Sequence, residues 1–186
     1  MLYLLVGLGN IGTEYEHTRH NVGFDIIDSM SSKFDQTSFN NKFKGQFLKI
    51  SLKKYELLLL KPSTYMNNSG ISVAEAANFY KISNDKVIVI HDDIDLACGK
   101  VKMKIGGGHG GHNGLKSVDS LIGQDYWRIR VGVSKPLDRM DVSDYVIKKF
   151  TKDQQLIIDS TISKITDNIE AFLETGKDKF LSLIHT

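Results

Sequence analysis

Ten polar side chains of this chain fall in four short stretches: Asn10 and His20; Asn67 and Asn68; His91, Asp92 and Asp93; and His109, His112 and Asn113. Their types point to proton transfer. A neutral imidazole can take a proton from water near pH 7, and a carboxylate on its far nitrogen fixes the tautomer and stabilises the imidazolium that forms. His20 and Asp92 can serve this way only if the fold brings them together, because they follow different strands. Side-chain amides hold a water, bind a carbonyl or stabilise an oxyanion without adding charge. No second base stands out, so hydrolysis of an already activated bond, such as an ester, is the chemistry these residues favour.

Other chemistries fit less well. His91, Asp92, Asp93, His109 and His112 offer metal ligands, but their spacing matches no compact ligand motif, and H-x-x-H on a glycine loop lacks the fixed geometry of a helix. Neither a metal nor a cofactor is expected. Cys98 is the only cysteine, sits on an ordinary turn and has no G-x-S-x-G elbow to stand in for it. It also excludes an intrachain disulfide, which suits a reduced, cytoplasmic setting. Gly7-Leu8-Gly9-Asn10-Ile11-Gly12 matches G-x-G-x-x-G after a strand, yet a dinucleotide site needs a helix beginning inside that motif. Here the motif runs into TEYEHTRHN, which has no apolar stripe at helical spacing. The glycines are better read as a sharp bend that turns Asn10 towards a cleft.

The stretch GGGHGGHNGL at 106–115 carries glycine at six of ten positions, each costly to order and useless to a core. Backbone of this kind invites close approach by another molecule. Upstream, KVKMKI puts Lys100, Lys102 and Lys104 on one strand face, with Val101, Met103 and Ile105 turned to the core. Net charge is only +2, but Leu96 to Val118 holds four lysines, two histidines and no acid. That pattern suits a phosphate-bearing partner. Plainer roles exist for several of these residues. Asn67 or Asn68 would cap the following helix, Asp93 and Asp95 would be solvated turn residues, His109 and His112 would tie up their own loop, and Tyr15 and Tyr65 would pack on the core rim.

The elements that must position these residues alternate. LYLLV at 2–6 reads as a buried strand, followed after a polar loop by an amphipathic helix from about Asn21 to Ser32. Residues 43–50 and 55–60 read as a hairpin ending at Pro62. Then come a helix from Ser69, strands at 87–90 and 100–105, a helix near 114–122, a strand at 127–133 and a helical tail over 152–184 broken at Gly176. The expected architecture is α/β: one domain over 1–186, three layers, with a central mixed, mostly parallel sheet flanked by helices. With 41% hydrophobic and 25% charged residues the chain has a normal globular balance and length for one good core. No apolar run approaches the ~20 residues needed to span a bilayer. MLYLLVG is too short for a signal peptide.

Taken together, VGLGNIGTEYEHTRHNVG at 6–23, KPSTYMNNSG at 61–70, HDDIDL at 91–96 and GGGHGGHNGL at 106–115 resemble the bacterial peptidyl-tRNA hydrolases. The four motifs occur in the family's order in a chain of the family's usual length. The resemblance implies a monomeric, metal-free esterase that releases tRNA from peptides dropped by stalled or abortive ribosomes. It also implies roles: His20 as general base, Asp92 as its orienting carboxylate, and Asn10 checking the acylated amino group. Met66 and Asn67 would position peptide and water, and Asn113 would be a second water- or carbonyl-binding amide. Tyr15 and Tyr65 would contact the tRNA end, and Lys102, Lys104 and Arg130 would clamp the 5′-phosphate and acceptor stem. Alternate strand residues lie ~6.6 Å apart, close to the spacing of neighbouring phosphates. The chain departs from the pattern at Ile11, where the family commonly has proline, at Asp93 for glutamate, and at Ala97-Cys98 for a proline-containing turn. A competing reading is a non-catalytic RNA-binding module that recognises the acceptor end.

Overall fold

The computed structural model describes residues 1–186. The first strand, β1 (Leu2–Gly7), lies in the middle of the sheet between β4 (Glu56–Pro62) and β5 (Val87–Asp93), both parallel to it. Its apolar run and those of its neighbours are buried on both faces, as parallel strands covered by helices require. The complete order adds β2 (Asn40–Lys42), β3 (Gly45–Ser51), β6 (Val101–Ile105) and β7 (Trp127–Gly132) to give β2-β3-β4-β1-β5-β7-β6. Strands β3 and β6 run against the other five. Helices α1 (Val22–Lys33), α5 (Lys152–Thr175) and α6 (Lys177–Ile184) cover one face. Helices α2 (Ser69–Phe79) and α3 (Asn113–Ile122) cover the other. This is the single-domain, three-layer α/β fold with a mixed sheet that the alternation of elements implies.

Three details differ from expectation. Phe43 and Lys44 do not begin a strand. They form a two-residue turn with φ of 56° and 51°, and Asn40–Lys42 pairs back as an extra edge strand. Such turns favour Asn-Gly, so an aromatic and a lysine gave no signal for one. Ile105 does not face the core: it is 49% exposed at the end of an edge strand, while Val101 and Met103 are buried as expected. A five-residue helix, α4 (Val142–Val146), occupies what reads as a loop, too short to show a period.

One contact between layers decides where the site forms. A Cβ on Gly7 would lie 2.2 Å from the Gly23 carbonyl oxygen, and one on Gly23 would lie 2.5 Å from that of Ile90. Helix α1 therefore starts directly against β1 and β5, with backbone touching backbone. The turn before it, Arg19–Asn21, is carried over the carboxyl end of β5, where ligands of open α/β sheets bind. The Gly23→Ala variant should lose about 1–3 kcal/mol of stability, the cost of overpacking a fitted contact, and should lose activity in the fraction that remains folded. Denaturant unfolding together with turnover per folded molecule checks both.

Candidate active site

Strand β5 runs three residues beyond the apolar VIVI segment, so His91, Asp92 and Asp93 extend its carboxyl end. Asp92 is 2% exposed. Its carboxylate accepts from His20 Nδ1, at 2.9 Å to Oδ2 and 3.0 Å to Oδ1, and from His112 Nε2 at 2.8 Å. The partners come from different elements, His20 from the turn before α1 and His112 from the N-cap of α3, and their ring centroids lie 4.9 Å apart. His112 Nδ1 accepts the backbone N–H groups of Gly114 and Leu115, so its proton is on Nε2, facing the acid. His112 thus orients the orienting acid. Its reading as a residue that ties up its own loop covers only half of what it does.

The electrostatics follow. Burial alone would raise Asp92, but the charges and hydrogen bonds of His20 and His112 outweigh it and hold the carboxyl well below the usual range. Burial would likewise lower His20, and the adjacent Asp92 charge with its hydrogen bond reverses this, leaving the imidazole above its ordinary value of 6.5. With Nδ1–H committed to Asp92, the Nε2 lone pair of His20 is the basic one. His91 is pushed the other way, down to about 3, by full burial and by neighbouring His112. It donates Nδ1–H to the Asp92 carbonyl, which fixes it as a neutral structural group.

A cleft of about 600 Å³ opens over this cluster. Asn10 and Asn21 clamp each other, with Asn10 N–H donating to Asn21 Oδ1 and Asn21 Nδ2 donating to the Asn10 carbonyl, both at 2.9 Å. The Asn10 Oδ1 accepts Met66 N–H at 2.7 Å, which orients the amide and leaves its NH₂ for the cleft. Ile11, in place of a proline, therefore costs this loop no anchor. Met66, Asn67, Asn113, Tyr15 and Tyr65 also line the cleft. Tyr65 holds a φ of 59° and is 54% exposed, a strained backbone that presents an aromatic ring at the rim. Asn68 stands at the N-cap of α2 without a side-chain capping bond and does not line the cleft.

Cations occupy one side. Lys102 pairs with Arg130 and Lys104 with Arg128 across β6 and β7, so all four share a sheet face. Desolvation and the nearby Arg130 and Arg128 charges lower Lys104. Arg130 Nε donates to Asp93 at 2.8 Å, so Asp93 is no solvated turn residue. Arg128, fully buried, donates to the Gly107 and Gly108 carbonyls and to Asp119, pinning the glycine loop. Lys104 and Arg130 line the cleft; Lys102 lies outside it, exposed on the strand. Glycines 106, 107, 110 and 111 all have positive φ, so the loop needs them for its shape as well as for open space.

The sequence reading missed Asn21, Arg128 and the apolar wall from α4, formed by Val142, Val146 and Ile147. Only Arg128 left a signal, as a second charge beside Arg130 in the strand WRIRVG. His20 Nδ1, an Asp92 oxygen and His112 Nε2 lie within 4.8 Å of one another, a donor set that metals accept. In this arrangement both imidazole N–H groups are spent on the carboxylate. Cys98 lies outside the cleft, and burial raises its thiol.

Known proteins resemble this chain over nearly its whole length. The family model described as peptidyl-tRNA hydrolase matches residues 4–186. The chain belongs to the peptidyl-tRNA hydrolase family. A peptidyl-tRNA hydrolase of Rickettsia bellii (strain RML369-C) is 47% identical over 183 residues, covering 97% of this chain and 98% of that protein. One from Aliarcobacter butzleri (strain RM4018) is 48% identical over 181 residues, 97% of each chain. The crystal structure of the peptidyl-tRNA hydrolase from Acinetobacter baumannii superposes with a TM-score of 0.92 at 34% identity, over 98% of this chain and 94% of that one. No helix here is long and apolar enough to cross a membrane.

Because Asp92 is what raises His20, activity should be full above the His20 pKa and fall as pH drops through it, with a midpoint above 6.5. The Asp92→Asn variant should move this acid limb to lower pH and lower the plateau of kcat/KM. A pH–rate profile of both proteins on an N-blocked aminoacyl-tRNA measures the shift.

Proposed function

We propose that this protein hydrolyses the ester joining a peptide to the terminal ribose of tRNA, returning free tRNA to translation. The observation that carries the reading is the imidazole of His20, fixed on buried Asp92 with its second nitrogen turned to a cleft ringed by amides. His20 Nε2 takes a proton from water, the hydroxide formed attacks the ester carbonyl, and Asp92 stabilises the imidazolium. The free NH₂ of Asn10, with Asn67 and Asn113, donates to the peptide amide and to the oxyanion as it forms. His20 then returns the proton to the ribose oxygen as the carbon–oxygen bond breaks. Water is consumed, and no redox partner is needed.

The cations of β6 and β7 suit the nucleic acid. Phosphate contacts position a partner without reading its sequence, which fits an enzyme that serves every tRNA. Lys104 and Arg130 take the 5′-phosphate and acceptor stem, Lys102 extends the track outside the cleft, and Tyr15 and Tyr65 offer ring faces to the unpaired 3′ end. The protein works in the cytoplasm as a monomer, without metal or cofactor.

Incubation with N-acetyl-aminoacyl-tRNA in the presence of 1,10-phenanthroline should give free tRNA at an undiminished rate. The His20→Ala variant should lose about 10²–10⁴-fold in kcat, the range for a positioned acid–base group, with tRNA binding kept. Protection of the substrate without cleavage would instead favour a binding module, and near-normal turnover in His20→Ala would remove His20 from the mechanism.

A further inference from the structure

Arg19 precedes the proposed base, is 5% exposed and has no carboxylate within ion-pair distance. A buried cation without a counterion is costly, so its placement needs a reason. Its fork points away from the cleft centre and into the junction behind α4. Nη1 donates to the Tyr145 carbonyl at 3.1 Å and to that of Lys148 at 3.4 Å; Nη2 donates to Gln154 Oε1 at 2.9 Å. The guanidinium lies 3.9 Å from the centroid of the Tyr145 ring. Its backbone N–H also donates to the Lys148 carbonyl, and Thr18 bridges to Lys149.

Each acceptor lies at or beside a helix end. The Tyr145 and Lys148 carbonyls mark where α4 stops, the Tyr145 carbonyl also accepting Lys148 N–H, and a cation suits a helix carboxyl end. Gln154 Oε1 also accepts Thr151 N–H in the capping box that starts α5. One side chain therefore joins the end of α4, the start of α5 and the residue before His20. What α4 presents to the cleft is mostly apolar: Val142, Val146 and Ile147, with Ser143 beside them, and Val142 and Ile147 are still 46% and 44% exposed. A wall without charge and with a single hydroxyl suits the acyl side of the substrate; the cations of β6 and β7 suit its nucleic acid.

We infer that Arg19 is a positioning residue that fixes the α4 wall against the His20 turn and so sets the fit of the acyl part of the substrate. The inference rests on the reading of His20 as the base, which stands beside that wall. The wall touches the acyl side chain and not the reacting atoms, so displacing it costs ground and transition states alike: KM rises and kcat stays. His20 keeps its own bonds to Asp92, so the acid limb of the pH profile stays too.

Lysine at this position keeps the charge but cannot present a planar fork to three acceptors. The Arg19→Lys variant is expected to show a KM on the order of tenfold higher for N-acetyl-phenylalanyl-tRNA, the cost of about one charge-assisted hydrogen bond. The rise should be clearly smaller for N-acetyl-glycyl-tRNA, with kcat and the acid limb unchanged. Hydrogen exchange of the Lys148 amide, which donates to the Tyr145 carbonyl, should quicken while that of β1 and β5 does not. A fall in kcat with an unmoved KM, or a shifted acid limb, would overturn the inference, as would unchanged exchange at Lys148. The exchange arm does not depend on turnover. If it responds as expected while His20→Ala keeps its activity, the assignment of the base fails and the positioning role of Arg19 stands.

Discussion

The site depends on a carboxylate removed from water and given two imidazoles in place of its solvation. Asp92 would be expensive to bury alone. With His20 and His112 both donating to it, the charged form is the favoured one, and the benefit is returned to His20 as added basicity. The two histidines differ in what holds their other nitrogen. The backbone of α3 occupies that of His112, and the cleft receives that of His20. One is thereby committed to structure and the other left free for a proton.

Much of the fold can be understood as the means of bringing three separate segments to that carboxylate. The double-glycine contact seats α1 on β1 and β5 and delivers His20 to the carboxyl end of β5. Arg128 holds the glycine loop, whose end delivers His112 at the start of α3. The mutual clamp of Asn10 and Asn21 ties the first loop to the His20 turn, so the cleft-facing Asn10 amide and the His20 imidazole are held in a fixed relation. Each tie is a hydrogen bond to backbone or a backbone contact, which leaves little freedom for drift.

Strand and helix order was legible in the sequence because long apolar runs and a consistent helical spacing leave few alternatives. His20, Asp92 and Asn10 were legible as candidates because such groups are rarely placed at strand ends, or in the loops that follow them, for packing. The role of His112 was not, since a histidine in a glycine loop looks the same whether its ring turns out to solvent or inward to an acid. Lys102 and Lys104 look equivalent by alternation, yet the cleft includes one and not the other, because its edge falls between them along β6. Arg19 and Asn21 flank His20 and carry no signal of their own in the sequence. Their burial depends on α4 and on the Asn10 loop, contacts that no local pattern predicts. Asp93 looked solvated for the same reason, its partner Arg130 lying on another strand.

The claim that a shared acid fixes both rings and raises one of them is tested most directly by ¹⁵N NMR of histidine-labelled protein across pH. The account predicts His20 in its Nδ1–H tautomer when neutral, titrating above 6.5, with His112 in the Nε2–H tautomer. A neutral His20 carrying its proton on Nε2, or one titrating at or below the ordinary imidazole value, would contradict it.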